Sequence, residues 1–376
     1  MITHFFKSLF GRGSRDRTQA TVVAKAQAAM AANPAEAVRI IRRGAAAGIV
    51  DAGTRLSLGV FLLDAGHFDL AKEAFSPLSQ VEESPAHIAL KFKAHEALAD
   101  AKRLAALGVL PAREPLRPGP HPMISVIICS IDPIFFVRAT DSYRRALINV
   151  PHEIVGVHDA RSICEGYNRG ARRARGEILL FSHDDIEVIG DDFAPRLLTA
   201  MSDFDLTGLA GTTLLSKAGW ITAGFPHIHG QYSSPQLDQF VIQLFSANKS
   251  TPHAQALDGC FMSVRRHVWE AQAFDEDTFR DWHLYDIDFS YRAYSGGFST
   301  GIRGDFLLHH HQRDATAKIG SLERWRLEAE KFLGKFPHLR DTEEKFDPDQ
   351  LVAVCVANDL EWKLLVEQLQ SQSAQV

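Results

Sequence analysis

Four consecutive apolar residues, Ile178-Leu179-Leu180-Phe181, run from Gly176-Glu177 into a polar stretch, Ser182-His183-Asp184-Asp185. Such a run is too short for a helix and reads as a strand buried on both faces. In an open α/β sheet, ligands bind at the carboxyl ends of the strands, where this strand meets one imidazole and two carboxylates. Adjacent carboxylates there suit a divalent cation that holds a phosphorylated ligand. The competing reading is a helix N-cap, a position Asp favours, since Asp191 and Asp192 follow shortly.

The surrounding pattern alternates. Residues 123–130 read as a buried strand, 136–147 as a helix, 153–158 as a strand, and 165–175 as an Ala/Arg helix closed by Gly176 as its C-cap. Strand and helix alternating at this pace imply a parallel doubly wound sheet. Further strands are expected at 207–213 and 298–308, and helices at 321–336 and 351–370. Residues 217–254 read as a long irregular insertion of the kind that carries function, with Trp220, His227, His229 and Tyr232 able to border a ligand. No G-x-G-x-x-G follows Ser130, His158 or Asp185, which counts against a nicotinamide enzyme. Ser130-Ile131-Asp132-Pro133 is no Gly-rich phosphate loop, which counts against a nucleotidyltransferase.

The part before this pattern is different. Residues 1–20 mix Phe5, Phe6, Leu9 and Phe10 with Lys7, Arg12, Arg15 and Arg17. Residues 1–17 fit an amphipathic membrane-surface helix, or a terminus whose aromatics pack on the next domain. Residues 21–110 show only Ala-rich helical periodicity. Leu58-Gly59, Leu62, Gly66, Phe68, Ala71, Phe75 and Leu78 fall in the order and spacing of a tetratricopeptide repeat. In that reading Gly59 and Ala71 let two helices approach, Phe68 and Phe75 fill between them, and Asn33-Pro34 and Ser84-Pro85 open helices. Such a domain is expected to contact a protein partner or the other domain; a plain helical bundle is the alternative. Pro111, Pro115, Pro118, Pro120 and Pro122 make 111–122 a linker. An α/β domain over 123–340 and a helical extension over 341–376 complete the division. The net charge of −5 gives no reason to expect nucleic acid. Four cysteines without a CxxC pair read as free thiols in a reducing compartment. With no run near the ~20 apolar residues of a span, the cytoplasm is the expected location, with peripheral membrane contact through 1–17.

Three stretches together resemble the family 2 glycosyltransferases of GT-A fold. Asn168-Arg169-Gly170, Ala174 and Gly176 match the "N-x-G-x-x-x-A-x-G" helix that leads into the strand bearing the DxD-type motif. Asp258-Gly259, Met262 and Arg265-Arg266 match "D-G-x-x-M/L-x-x-R-R". Asp286, Asp288 and Arg292 match the "E-D-x-D-L-x-x-R" helix of the inverting enzymes. Among the chain's departures from the pattern are His183 where the first Asp of DxD stands and Tyr285 where Glu is preferred.

The resemblance implies a GT-A-type doubly wound, mostly parallel sheet behind a small all-α repeat-like domain. It implies metal-assisted transfer of a sugar from a nucleotide-diphosphate donor to an acceptor hydroxyl, with inversion. By it, Asp286 is the base, and Ser130, Asp132, Asp159, Arg161, Asn168 and Asp184 serve the donor. Asp258, Trp282 and Asp288 serve a carbohydrate, lipid-linked or protein acceptor. Asp185 holds Mn²⁺ or Mg²⁺ with a histidine from the run His309-His310-His311 at the end of the last strand. Alternate residues of a strand face opposite ways, so at most one or two of them can serve; His309 is the first choice and His311 the second. The alternative is a repeat-bearing scaffold that binds nucleotide sugar or a protein partner without catalysis.

Overall fold

The computed structural model describes residues 14–30, 32–50, 54–55, 58–59, 62, 67–75, 86–236, 239–311, 321–347 and 351–371. It divides into two compact units, Met1–Arg103 and Leu104–Val376. No helix among the described residues is long and apolar enough to cross a membrane.

The first unit carries α1 (Ser14–Met30), α2 (Pro34–Ala46), α3 (Phe68–Phe75) and most of α4 (Ala86–Ala106). Asn33 caps α2, accepting from the Glu36 amide at 3.2 Å with Pro34 in the first turn, as the Asn-Pro opening implies. Ala37, Val38 and Ile41 then bury one face of α2 against Leu58, Leu62, Ala71 and Phe92. Gly66, Leu78, Ser84 and Pro85, the side chains of Phe68 and Phe75, and residues 1–13 lie outside the described residues, so the repeat is traced only in part and the basic aromatic segment hardly at all.

The second unit is the α/β body. In chain order it comprises β1 (Ile124–Cys129), α5 (Pro133–Ala146), β2 (His152–Val157), α6 (Ile163–Arg173), β3 (Ile178–Ser182), β4 (Ile186–Val188) and α7 (Phe193–Asp203). Then come β5 (Leu206–Gly208), β6 (Ala210–Thr212), β7 (Ile228–Gln236), β8 (Gln239–Leu244), β9 (Ser250–Pro252), β10 (Ala256–Leu257) and β11 (Phe261–Arg265). The remainder is α8 (Arg266–Ala271), α9 (Tyr285–Ser295), β12 (Thr300–Arg303), β13 (Leu308–His310), α10 (Ser321–Lys335), β14 (Val352–Val356) and α11 (Asp359–Ser371).

The main sheet runs β2-β1-β3-β11-β5-β12-β9; β1 is parallel to β2 and β3, and β5 to β12. Its central strands feed two cores, as a strand apolar at every position must. Ile124, Val126, Ile128 and Leu180 point to one face, under α5 and α7 through Tyr143, Phe193 and Leu197. Ile127, Leu179 and Phe181 point to the other, under α6 and α9 through Tyr167 and Phe289. That two-sided cover makes the fold α/β and leaves the strand ends as the place for polar groups.

Several expectations need correction. Gly176 is no helix C-cap, because α6 ends at Arg173 and its cap is Ala174, in extended backbone. Gly176 is needed for close approach, since a Cβ there would stand 2.6 Å from the Ser125 amide nitrogen. Residues 111–122, read as a linker, lie along the second unit. Arg113 pairs with Asp191 at 2.7 Å, the Glu114 amide donates to Asp192 at 3.0 Å, and Leu116 packs on the core. The "irregular" 217–254 contains the β7–β8 hairpin, in a second sheet ordered β10-β6-β7-β13-β4 with β8 and β14 extending from β7, and β9, which pairs with β12 at the edge of the main sheet. The strand read at 207–213 is two strands, β5 and β6, in different sheets, and that at 298–308 is likewise split into β12 and β13. Residues 351–370 are not one helix: Val352, Val354 and Val356 are buried on one face of β14 before α11 begins.

Candidate active site

The carboxyl ends of β1 and β3 are tied together. The Ser130 hydroxyl lies 2.5 Å from Asp184 Oδ2 and 2.9 Å from the Asp132 carbonyl. Both Ser130 and Asp184 are buried. Asp132 is occupied as the N-cap of α5, accepting from the Ile134 and Phe135 amides at 2.8 and 3.3 Å. His158, the residue after β2, was not singled out in the sequence. Its Nδ1 reaches the Ser130 carbonyl at 2.9 Å, so all three parallel strands contribute to this rim. Asp159 and Arg161 remain at the exposed edge, Asp159 paired with Arg169 at 2.9 Å.

Asn168 is not on this rim. It is 1 % exposed and makes four hydrogen bonds. Its amide nitrogen donates to the Phe274 carbonyl at 2.8 Å and Glu276 at 3.0 Å; its oxygen accepts from the Phe274 amide and Trp269 Nε1, both at 3.0 Å. The Asn of the helix motif therefore clamps α6 to the segment after α8.

Beyond the rim, His183, Asp185 and His310 converge, with one ligand atom from each all within 4.8 Å of one another, a set that could hold a metal ion. Asp185 Oδ1 lies 3.3 Å from His310 Nε2 and 3.9 Å from His183 Nδ1. Burial pushes the His183 imidazole below its ordinary value, with Asp185 pulling the other way. A neutral ring keeps the lone pair that a cation needs.

The histidine that meets Asp185 is the middle one of the three. β13 pairs antiparallel with β4, with His310 opposite Ile186 and His309 opposite Glu187. His309 and His311 share the other face, ring to ring at 4.3 Å. His309 Nδ1 is 2.5 Å from Ser233 Oγ, and His311 Nε2 is 2.8 Å from Glu187. Burial, then the neighbouring His311, push His309 down to about 4. The alternation argument was sound, but its parity was set by a register that spacing does not reveal.

The acidic pair of α9 separates in the same way. Leu284, buried with φ at 61°, turns the chain sharply into the helix. The next two residues, Tyr285 and Asp286, then face Gly259. A Cβ on Gly259 would fall 2.6 Å from Tyr285 Cζ and 2.7 Å from Asp286 Cβ, so glycine is what admits both. Burial first, and the charge of Asp258 second, push the Asp286 carboxyl up to about 7. Asp258 is held by the Cys260 amide at 2.9 Å and Trp220 Nε1 at 3.1 Å. Tyr285 reaches His183 Nε2 at 2.7 Å and the Gly259 carbonyl at 2.9 Å.

Asp288 points inward. It is 1 % exposed, paired with Arg292 at 2.8 Å and with Lys335 of α10, so the acceptor role read for it does not match its position. Asp288→Asn should cost about 1.5–3 kcal/mol, because it takes a charged hydrogen-bond partner from both Arg292 and Lys335, although Lys335 keeps Asp275 at 2.7 Å. Chemical denaturation would show the loss, and a variant as stable as wild type would refute the pairing. Trp282, at 47 % exposure, remains in the loop before Leu284.

A separate cavity of about 700 Å³, lined by residues such as Arg113, Asp191, Arg196 and Lys363, contains none of these groups. Its cations Arg113, Arg196 and Lys363 are already paired with Asp191 and Asp192. The chemistry-bearing cluster is therefore the rim and the two sets beyond it: two imidazoles with a carboxylate, and a carboxyl near neutrality beside a second acid.

No curated protein matches the chain. Among solved structures it is similar to a mannosyltransferase from Pyrobaculum calidifontis in complex with GDP-Man and Mn²⁺, at 13 % identity and a TM-score of 0.39, over 77 % of this chain and 87 % of that one. It is similar also to GalNAc-T7 with UDP, GalNAc and Mn²⁺, at 13 % identity and a TM-score of 0.33, over 52 % of this chain and 44 % of that one. Residues 125–317, which span the strand-end rim, the histidine–aspartate set and Asp286, match the glycosyltransferase like family, and the chain belongs to that family.

Proposed function

We propose that this protein transfers a sugar from a nucleotide-diphosphate donor to an acceptor hydroxyl, with a divalent cation and with inversion at the anomeric carbon. The observation that carries the reading is Asp286: a carboxyl pushed up to about 7, at the start of α9 and next in sequence to the tyrosine that touches His183. A group of that basicity accepts a proton near neutral pH and holds it through the transition state. Attack by the deprotonated hydroxyl from the side opposite the nucleotide inverts the centre.

The donor set of His183, Asp185 and His310 fits Mn²⁺ in kind and in reach. When bound, the cation offsets the negative charge of the diphosphate leaving group. Ser130 steadies Asp184 on the rim where the nucleotide would lie. Asp258, tethered by Trp220 and the Cys260 amide, keeps Asp286 basic and borders the acceptor. We assign the transfer to residues 104–376, with the helical unit available to a protein partner.

Thermal shift against a panel of nucleotide-diphosphate sugars, with and without Mn²⁺, tests the reading. One or more should raise the melting temperature only with the metal present; saturation at a hundred times Kd is worth about 2.7 kcal/mol. Release of nucleoside diphosphate on adding acceptor should accompany it. Binding without release would favour a catalytically silent scaffold, and no binding at all would end the proposal.

A further inference from the structure

Two of the positions at which this chain departs from the family pattern, His183 and Tyr285, touch one another. Tyr285 Oη lies 2.7 Å from His183 Nε2 and 2.9 Å from the Gly259 carbonyl oxygen. The carbonyl can only accept, so the single hydroxyl hydrogen of Tyr285 goes to Gly259. The phenol oxygen then has only lone pairs left for His183, whose Nε2 must supply the hydrogen. This fixes the tautomer, leaving Nδ1 with the free lone pair. Nδ1 is the atom 3.9 Å from Asp185 Oδ1, the oxygen that also lies 3.3 Å from His310 Nε2.

Two further features hold the arrangement. The His183 amide donates to the Cys260 carbonyl at 3.0 Å, which fixes the backbone from which the ring projects. Gly259 has no side chain, and any Cβ there would collide with the Tyr285 hydroxyl. The contact between Tyr285 and His183 thus depends on residues from three separate segments.

We infer that Tyr285 is a positioning residue that turns His183 Nδ1 toward the cation, so that this chain binds its metal through two imidazole nitrogens and one carboxylate and prefers later transition ions to Mg²⁺. The inference rests on the proposed reading of this cluster as a metal site. Mg²⁺ favours oxygen ligands and gives up water reluctantly, whereas imidazole suits later ions such as Zn²⁺, and the affinity of a nitrogen-containing site rises from Mn²⁺ to Co²⁺. A ligating histidine whose other nitrogen donates to an oriented partner binds more tightly, and loss of such a partner costs about 10–100-fold in metal affinity.

Calorimetric titration of the metal-stripped full-length protein with MnCl₂, CoCl₂ and MgCl₂, without donor, tests this. Wild type should bind Mn²⁺ and Co²⁺ at least about 10-fold more tightly than Mg²⁺. Tyr285→Phe keeps the ring and removes the oxygen, and should weaken Mn²⁺ by about 10–100-fold. His183→Asp should narrow the gap between Mn²⁺ and Mg²⁺, and the visible spectrum of bound Co²⁺ should change. If wild type binds no cation, the metal reading itself fails and takes the inference with it. If wild type binds Mn²⁺, Asp185→Ala abolishes it, and both Tyr285→Phe and His183→Asp bind as wild type, the site stands and the inference is overturned. His183→Asp decides the matter alone should Tyr285→Phe not fold.

Discussion

Asp286→Asn lowers transfer by about 10²–10⁴-fold and leaves donor binding unchanged, the signature of a lost general base. The asparagine keeps the size of the side chain but cannot take the hydroxyl proton. Wild-type transfer should rise with pH through about 7, where the Asp286 carboxyl loses its proton. Asp258→Asn removes the like charge beside it and should move that limb to lower pH. The linkage has a definite sign. Asp286 binds its proton more tightly folded than unfolded, so stability present below the unfolded value, about 4, is lost as pH rises through about 7. Asp286→Asn cannot ionise, so at pH 8 it should melt above wild type, with the difference vanishing toward pH 4. A variant as active as wild type would place proton removal elsewhere, and the inverting assignment would fall with it.

Asp185→Ala abolishes measurable Mn²⁺ binding and, with it, the metal-dependent part of donor binding. Asp185 supplies the only carboxylate of the His183–Asp185–His310 set. Losing a ligand outright should exceed the about 10–100-fold cost of losing an outer partner. The fold should survive, because the Asp185 backbone carbonyl, which accepts from the His311 amide at 2.8 Å, is untouched. Wild-type affinity should also fall as pH drops, since a protonated imidazole cannot ligate. The downward shift of His183 extends its part of the binding to lower pH than an exposed histidine would allow. Calorimetry with MnCl₂ across pH 5–8, alongside donor thermal shift, would check both points. Unchanged Mn²⁺ binding in Asp185→Ala would remove the metal assignment.

The α/β class and its strand ends were legible because burial on two faces is a local property of composition. Ile178 to Phe181 could be nothing but a covered strand, and Asn33-Pro34 announced the helix that Asn33 caps. β14 was legible too, in the alternation of Val352, Val354 and Val356, and was passed over for a helix.

Sequence spacing by itself determined the order of the elements and a short roster of polar residues at their ends. Only the tertiary structure decided which of them face the site. Asp286 and Asp288 lie two apart on one helix, so they point in different directions, and Lys335, 47 residues past Asp288, claims the second. His310 meets Asp185 because β13 pairs with β4 in one register, and a slip of one residue would have presented His309 and His311. Asn168 fits the motif helix, yet its partners are 101 to 108 residues away and make it a clamp. His183 and Tyr285, 102 residues apart, carry no local mark of their contact. Periodicity and caps are set by neighbours along the chain, whereas the facing of a side chain is set by register and packing between distant segments.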